Sequence, residues 1–307
     1  MQTAKSIVDL IGNTPLVELK LSTDRISDVR LLAKLEQANA TGSVKARIAK
    51  AMIEGAEERG ELKPGSVIIE ATSGNTGVAL SAIGVSKGYR TIIVMPSSMS
   101  EERRQLIAAY GAELVLTDGS LGMKGAIEKA QALSQEIPGS FIPSQFTNAD
   151  NPKVHYRTTG PEIWKATEGK VDVLVAGVGT GGTLTGVATY LKEQNKDIKV
   201  IAVEPAGSPV LSEGHAGKHK IQGIGAGFVP EVLRTELIDE VLTVSDEEAA
   251  AGAKELAKSQ QILAGISSGA AFAASRKVVG RQESQGKVIV VIFPDGGERY
   301  LSTGLFG

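Results

Sequence analysis

The sequence predicts an α/β protein of two domains, each a mostly parallel sheet flanked by helices, and three observations carry that expectation. Strand-type and helix-type segments alternate along nearly the whole chain, the pattern of parallel strands joined through covering helices. The 307 residues exceed what one compact core usually holds. A polar stretch with Pro143, Asn148, Asp150, Asn151 and Pro152 interrupts the alternation and reads as the crossing point between domains.

The elements follow in order. A strand is expected over 31–36, then a helix in which Ile48, Ala49, Met52, Ile53 and Ala56 recur at the spacing of one buried face. Strands over 67–70, 91–95 and 113–116 then alternate with helices over 76–87, 101–110 and 123–136. Beyond the polar stretch, strands are expected over 171–176, 200–203 and 288–293, with helices over 183–193, 246–258 and 269–281. The glycine-rich section 205–230 has no clear period, and no internal repeat or low-complexity tract is present.

Composition removes several function classes. With 33 basic against 35 acidic side chains, no basic run and only 4% aromatics, the chain lacks the charge and the stacking platforms of a nucleic-acid binder. The longest strongly apolar run, 288–293, is far too short to span a bilayer, and residues 1–15 lack the basic-then-apolar layout of a signal peptide, so a cytoplasmic location is expected. Zero cysteines exclude disulfides and thiolate ligands.

One lysine and three glycine loops carry the chemistry. Thr41-Gly42-Ser43-Val44-Lys45 is a glycine-serine turn, with Ser43 as a candidate N-cap and Lys45 in the first helical turn. Partial positive charge at a helix N-terminus disfavours an ammonium there, and the neutral amine is the form that attacks carbonyls. The plainer reading of Lys45 is a solvated surface lysine. Thr72-Ser73-Gly74-Asn75-Thr76-Gly77 follows one strand and opens a helix, either to hold an anion on free N–H groups or as an ordinary βα turn. Gly177-Val178-Gly179-Thr180-Gly181-Gly182-Thr183 does the same and contains G-x-G-x-x-G, with Glu204 where a dinucleotide fold places its ribose-binding acid. An NAD site is therefore a rival there, whereas the hydroxyls of Thr180 and Thr183 suit a phosphate monoester. Gly265-Ile266-Ser267-Ser268-Gly269 reads alone as a capped helix start. His215 and His219 have a metal-like spacing but flank a glycine in a loop and are taken as surface residues, so no metal is expected; His155 is taken as structural.

The four segments together, in this order, resemble the cysteine synthases, the O-acetylserine sulfhydrylases of the pyridoxal-phosphate β-replacement family (fold type II, like the tryptophan synthase β chain). Ile11-Gly12-Asn13-Thr14-Pro15-Leu16, Asn151-Pro152, Thr158-Thr159-Gly160-Pro161-Glu162-Ile163-Trp164 and Gly223-Ile224-Gly225-Ala226-Gly227-Phe228 extend the resemblance almost end to end. It implies that Lys45 holds pyridoxal 5'-phosphate as an internal Schiff base and later moves the substrate α-proton. Asn75 would contact the cofactor's ring hydroxyl, and Gly179, Thr180, Gly181, Gly182 and Thr183 would cradle its phosphate. Ser267, or its neighbour Ser268, would bond the ring nitrogen. Thr72, Ser73, Asn75, Thr76 and Gln145 would clasp the substrate carboxylate. The chain departs from the family pattern at Ala40, after Asn39, and at Ala46, after Lys45, where relatives often carry Pro and Asp.

The implied reaction converts O-acetyl-L-serine and sulfide to L-cysteine and acetate, by ping-pong β-replacement through an α-aminoacrylate Schiff base. The resemblance further implies a homodimer, a possible serine acetyltransferase C-terminal peptide as partner, and a cofactor in a cleft between a smaller domain, 43–147, and a larger one, 1–42 with 148–307. Cystathionine synthase, β-cyanoalanine synthase and serine dehydratase are sibling alternatives. An NAD-dependent oxidoreductase leaves Lys45 and the 265–269 loop unexplained, and an inactive partner subunit sits poorly with the retention of Lys45.

Overall fold

The computed structural model describes residues 3–21, 28–98 and 101–307; the remainder of the expected domains, residues 1–2, 22–27 and 99–100, lies outside the described residues. The chain divides into two compact units, Met1–Ile11 with Lys45–Asp150, and Gly12–Val44 with Asn151–Gly307. The chain passes from one unit to the other three times, between Ile11 and Gly12, between Val44 and Lys45, and between Asp150 and Asn151.

The first unit is a four-stranded parallel sheet. Its strands are β3 (Val67–Ala71), β4 (Arg90–Pro96), β5 (Glu113–Thr117) and β6 (Ser140–Phe141), in the order β5-β4-β3-β6. Helices α1 (Lys45–Glu58), α2 (Asn75–Ser86), α3 (Glu101–Ala109) and α4 (Gly122–Glu136) cover it. Because successive side chains in a strand point to opposite faces, Ile68 of β3 packs with Ala49, Ile53, Ala79 and Ile83 from α1 and α2, while Val67 and Ile69 pack with Ala126 and Ala130 of α4.

The second unit is a six-stranded sheet in the order β1-β2-β10-β7-β8-β9. It contains β1 (Leu16–Glu18), β2 (Arg30–Leu35), β7 (Val173–Gly177), β8 (Lys199–Pro205), β9 (Glu240–Val244) and β10 (Val288–Phe293). Only the edge pair β1–β2 runs antiparallel. Strand β10 is buried along all six residues, as expected for a central strand covered on both faces. One face packs on α8 (Asp246–Ser259) and α9 (Ile266–Val279), the other on α6 (Gly160–Ala166) and α7 (Gly182–Gln194).

Some elements were not expected from the sequence. Strands β1, β6 and β9 are short or half-buried edge strands without a continuous apolar run. The stretch after the crossing point is helical: α5 (Asp150–Val154) passes through a wider π turn over His155–Thr159 into α6, whose first turn accommodates Pro161. The prolines that mark a break in the sequence therefore sit at helix starts.

The opening Ile11-Gly12-Asn13-Thr14 motif is a lock inside the second unit from Gly12 onward. Gly12 and Asn13 both have positive φ, 96° and 48°. The Gly12 N–H donates to Asn39 Oδ1 at 2.9 Å, and Thr14 Oγ1 donates to Glu36 Oε1 at 2.7 Å. Buried Lys34 donates to the Thr14 carbonyl at 2.6 Å and to Glu162 Oε2 at 2.7 Å, while Glu162 Oε1 accepts the Asn13 N–H at 3.0 Å. Among the described residues, no helix is long and apolar enough to cross a membrane.

Candidate active site

The expected residues fall on both units, and each unit builds its own set from loops that leave the C-terminal ends of parallel strands, where ligand sites of such sheets form. In the first unit, Lys45 is the first residue of α1, half-exposed on an otherwise buried face. The residue before it is Val44, so the expected serine cap lies one position further out; Ser43 is instead buried in a bridge to Asp295 within the second unit. Ala46, the departure next to Lys45, is completely buried, so no charge stands at that position.

The 72–77 loop joins β3 to α2. Thr72 continues the sheet through its N–H to the Val94 carbonyl at 3.0 Å, and its Oγ1 accepts the Gly74 N–H at 3.3 Å. Helix α2 starts at Asn75, directly after the loop, and the Gly77 N–H donates to the Gly74 carbonyl at 3.1 Å. Thr76 Oγ1 donates to Gln145 Oε1 at 2.6 Å, joining two loops that lie 69 residues apart in sequence. With Oε1 accepting from Thr76, the other end of the Gln145 amide is a pair of N–H donors.

Gln145 sits in a compact turn. The Ser144 carbonyl accepts the N–H groups of Thr147 and Asn148 at 3.0 Å each, and Asn148 Nδ2 donates to the Pro143 carbonyl at 2.9 Å. Beneath the turn, Glu70 of β3 is 4% exposed and accepts the Ser144 N–H at 3.1 Å on Oε2. Burial pushes its carboxyl up to about 7, and the backbone N–H groups of Ser144 and Gln145 oppose the rise.

In the second unit, the 177–183 loop joins β7 to α7. A Cβ on Gly179 would strike the Gly223 carbonyl oxygen, one on Gly182 would strike the Asn151 side chain, and Gly181 has φ +82°. The loop therefore accepts no side chain at these three positions, so its backbone is not covered by side chains of its own there. Asn151 Nδ2 donates to Thr180 Oγ1 at 3.0 Å, and Thr183 Oγ1 meets His155 Nε2 at 3.2 Å. Asn151 and His155 thus support this loop; the sequence reading took His155 as structural and Asn151 as part of a family motif, without tying either to the loop. Their spacing of four on one helical face would have been the signal, hidden by the Pro152 beside it.

Helix α9 opens at Ile266, three residues earlier than expected, which brings both serines into its first turn. Ser268 Oγ donates to the Asp295 carbonyl at 3.4 Å. Ser267 is 2% exposed, and its hydroxyl makes no hydrogen bond among the described residues. Of the pair, Ser267 is the one with a donor to spare.

The dinucleotide rival loses its acid. Glu204 is buried and its carboxylate accepts the Leu211 N–H at 2.7 Å, the Ser212 N–H at 2.9 Å and the Ser212 hydroxyl at 2.6 Å. It fixes the following loop rather than facing a ribose. His215 is exposed beside Glu213 at 3.1 Å, as expected of a surface residue. His219, also expected at the surface, is half-buried instead, with Nε2 3.0 Å from the Gly225 carbonyl oxygen, where it braces a turn.

A model of the pyridoxal-phosphate dependent enzymes matches residues 7–295. The cysteine synthase of Staphylococcus aureus is 51% identical over 304 residues, covering 98% of this chain and 96% of its own. The chain belongs to the cysteine synthase family of pyridoxal-phosphate dependent enzymes. The crystal structure of the cysteine synthase from Entamoeba histolytica matches with a TM-score of 0.97 at 47% identity, over 99% of this chain and 91% of that one. An O-acetylserine dependent cystathionine β-synthase from Helicobacter pylori matches with a TM-score of 0.94 at 40% identity, over the whole of both chains.

The cofactor of the family is pyridoxal phosphate, and the residues present fit it. A phosphate monoester needs convergent N–H and O–H donors without side-chain bulk, which is what the 177–183 loop offers at the start of α7. A carbonyl carbon needs an amine held at a fixed point, and Lys45 is placed by a helix start. A ring nitrogen needs a short-range hydrogen-bond donor, for which Ser267 has an uncommitted hydroxyl.

Proposed function

We propose that this enzyme converts O-acetyl-L-serine and sulfide to L-cysteine and acetate. The observation that carries the reading is the near full-length likeness to a cysteine synthase at 51% identity, against 40% to the cystathionine-forming relative. In the proposed site, Lys45 Nζ anchors the cofactor covalently, Asn75 faces the ring hydroxyl, Gly179, Thr180, Gly181, Gly182 and Thr183 hold the phosphate, and Ser267 bonds the ring nitrogen. Thr72, Ser73, Asn75, Thr76 and Gln145 bind the substrate carboxylate.

Bound pyridoxal phosphate supplies an electron sink for the substrate α-carbon. Lys45 Nζ takes the α-proton while the bond from the β-carbon to acetate breaks, and it returns that proton after the sulfur of hydrosulfide has bonded to the β-carbon. Atoms balance as one acetate out for one hydrosulfide in. The N–H groups at the start of α2 and the Gln145 amide orient the amino acid through its carboxylate, and the turn around Gln145 keeps water from the reacting β-carbon. Ser267 would donate its hydroxyl hydrogen to the ring nitrogen without carrying charge, so it leaves that nitrogen unprotonated.

The reading retains a smaller functional domain over 43–147 and a larger one over 1–42 and 148–307. The compact units support it, except that residues up to Ile11 and 148–150 group with the smaller one, and 43–44 with the larger: Val8 joins the Ile68 side of the smaller unit's core. It also retains the cytoplasm as compartment, a homodimer, and a docking role for a serine acetyltransferase C-terminal peptide. The test is turnover of O-acetylserine with sulfide, homocysteine and cyanide in parallel: cysteine formation should dominate, and a preference for homocysteine or cyanide would move the chain to a sibling activity. Solution mass, with and without the acetyltransferase peptide, tests the assembly.

A further inference from the structure

The roles proposed above leave Glu70 unused, although it is a carboxylate 4% exposed, one residue from the end of β3 and just before the 72–77 loop. A buried carboxylate is costly unless it meets a cation or several donors. Here the donors are two backbone N–H groups, those of Ser144 and Gln145. Both belong to the turn that carries the Gln145 side chain, and Ser144 holds the left-handed conformation at φ 54°, which a serine adopts only when its surroundings fix it. From Glu70 the chain of contacts is short: carboxylate to the Gln145 N–H, and Gln145 Oε1 to Thr76 Oγ1 at 2.6 Å.

We propose that Glu70 is a positioning residue for substrate binding: its carboxylate sets the Gln145 side chain against Thr76 through the 143–148 turn, and the hold is firmer when Glu70 is ionised. This rests on the reading of Thr72, Ser73, Asn75, Thr76 and Gln145 as the substrate-carboxylate site. A hydrogen bond to an ionised acceptor is roughly twice as strong as one to a neutral acceptor, so loss of the charge loosens the turn. Burial brings that loss of charge to about pH 7.

Among the described residues, no charged group is a cause of the Glu70 shift. Glu70 lies on the Ile68 side of β3, the side covered by α1 and α2. Helix α2 carries no titratable residue, and the ionisable groups of α1 are Lys45, Arg47, Lys50, Glu54, Glu57 and Glu58. Tyr89 donates to Glu57 at 2.8 Å, Arg90 of the adjacent β4 is paired with Glu113 at 2.7 Å, and Asp150 beyond the turn is paired with Arg59 at 2.7 Å. On the opposite face, the ionisable groups of α4 are Lys124, Glu128, Lys129 and Glu136. None of these charges contributes to the Glu70 shift; burial and the two N–H groups account for it.

The test compares wild-type, Glu70→Gln, Gln145→Ala and doubly substituted holoenzyme between about pH 6 and about pH 8.5. The KM for O-acetylserine in the wild type should rise as pH falls through about 7, by about tenfold, the difference between a charge-assisted and a neutral hydrogen bond. Glu70→Gln should have the raised KM at every pH, with kcat changed less than about twofold, and adding it to Gln145→Ala should change KM no further. Hydrogen exchange at the Ser144 and Gln145 amides, corrected for intrinsic rates, should lose protection over the same pH range in the wild type alone. A wild-type pH profile retained in Glu70→Gln, or additive effects in the double variant, overturns the proposal. If the wild type does not turn over O-acetylserine at all, the substrate reading itself has failed, and this proposal falls with it.

Discussion

Replacing Glu70 by Gln should stabilise the protein at alkaline pH and leave it little changed in acid. The folded carboxyl ionises at about 7 instead of the ordinary 4.5. Between these values the native chain keeps a proton that the unfolded chain has released, so the stability from the protonated group is complete below about 4.5 and lost as pH rises through about 7. At about 1.4 kcal/mol per tenfold change in proton affinity, the loss amounts to about 3 kcal/mol. The neutral amide of the variant has no such proton to lose. Urea unfolding followed by far-ultraviolet circular dichroism measures this, because the sole tryptophan, Trp164, lies in the second unit and does not report on β3. The stability of Glu70→Gln minus that of the wild type should climb by about 3 kcal/mol from about pH 4 to about pH 8. A difference that is flat, or that falls with pH, would refute a buried carboxylate held only by N–H groups.

Three further outcomes follow from the same structure. Lys34→Met should cost about 3–5 kcal/mol of stability, since it leaves the Glu162 carboxylate without its buried cation, and Trp164 fluorescence during unfolding would show it. Gly179→Ala should weaken pyridoxal phosphate binding by at least about tenfold, or about 1.4 kcal/mol, because the new methyl group strikes the Gly223 carbonyl; equilibrium dialysis of the cofactor reads it directly. Gln145→Ala should raise the ratio of pyruvate to cysteine by about tenfold, as water reaches the reacting carbons before sulfide does, and an unchanged ratio would remove Gln145 from the enclosure.

The parts of the fold legible in the sequence were those with a strong local period. Strand β10, with six consecutive apolar residues, and α1, with Ile48, Ala49, Met52, Ile53 and Ala56 on one face, announce themselves. Strand β9 does not: Glu240-Val241-Leu242-Thr243-Val244 is a half-buried edge whose pairing with β8 comes from tertiary contact. The helices between Asp150 and Ala166 were masked by Pro152 and Pro161, which read as breaks and in fact occupy helix starts. The site divides the same way. Glycine loops after strands were visible as loops, and Lys45 as a lysine at a helix start. The supports behind them were not, because Asn151, His155 and Glu70 act through contacts 28 to 75 residues away in sequence. That the Ser268 hydroxyl is already engaged with the Asp295 carbonyl, which favours proposing Ser267, is visible only in three dimensions.

The central claim is that the glycine-serine turn exists to deliver Lys45 to the cofactor. Borohydride reduction of the holoenzyme, proteolysis and mass mapping of the pyridoxyl-labelled peptide test it most directly, with Lys45→Ala carried through the same steps. The label should lie on Lys45 in the wild type and be absent from the variant, which should also make no cysteine. A label on any other lysine of the wild type, or cysteine synthesis by Lys45→Ala at the wild-type rate, would contradict the account.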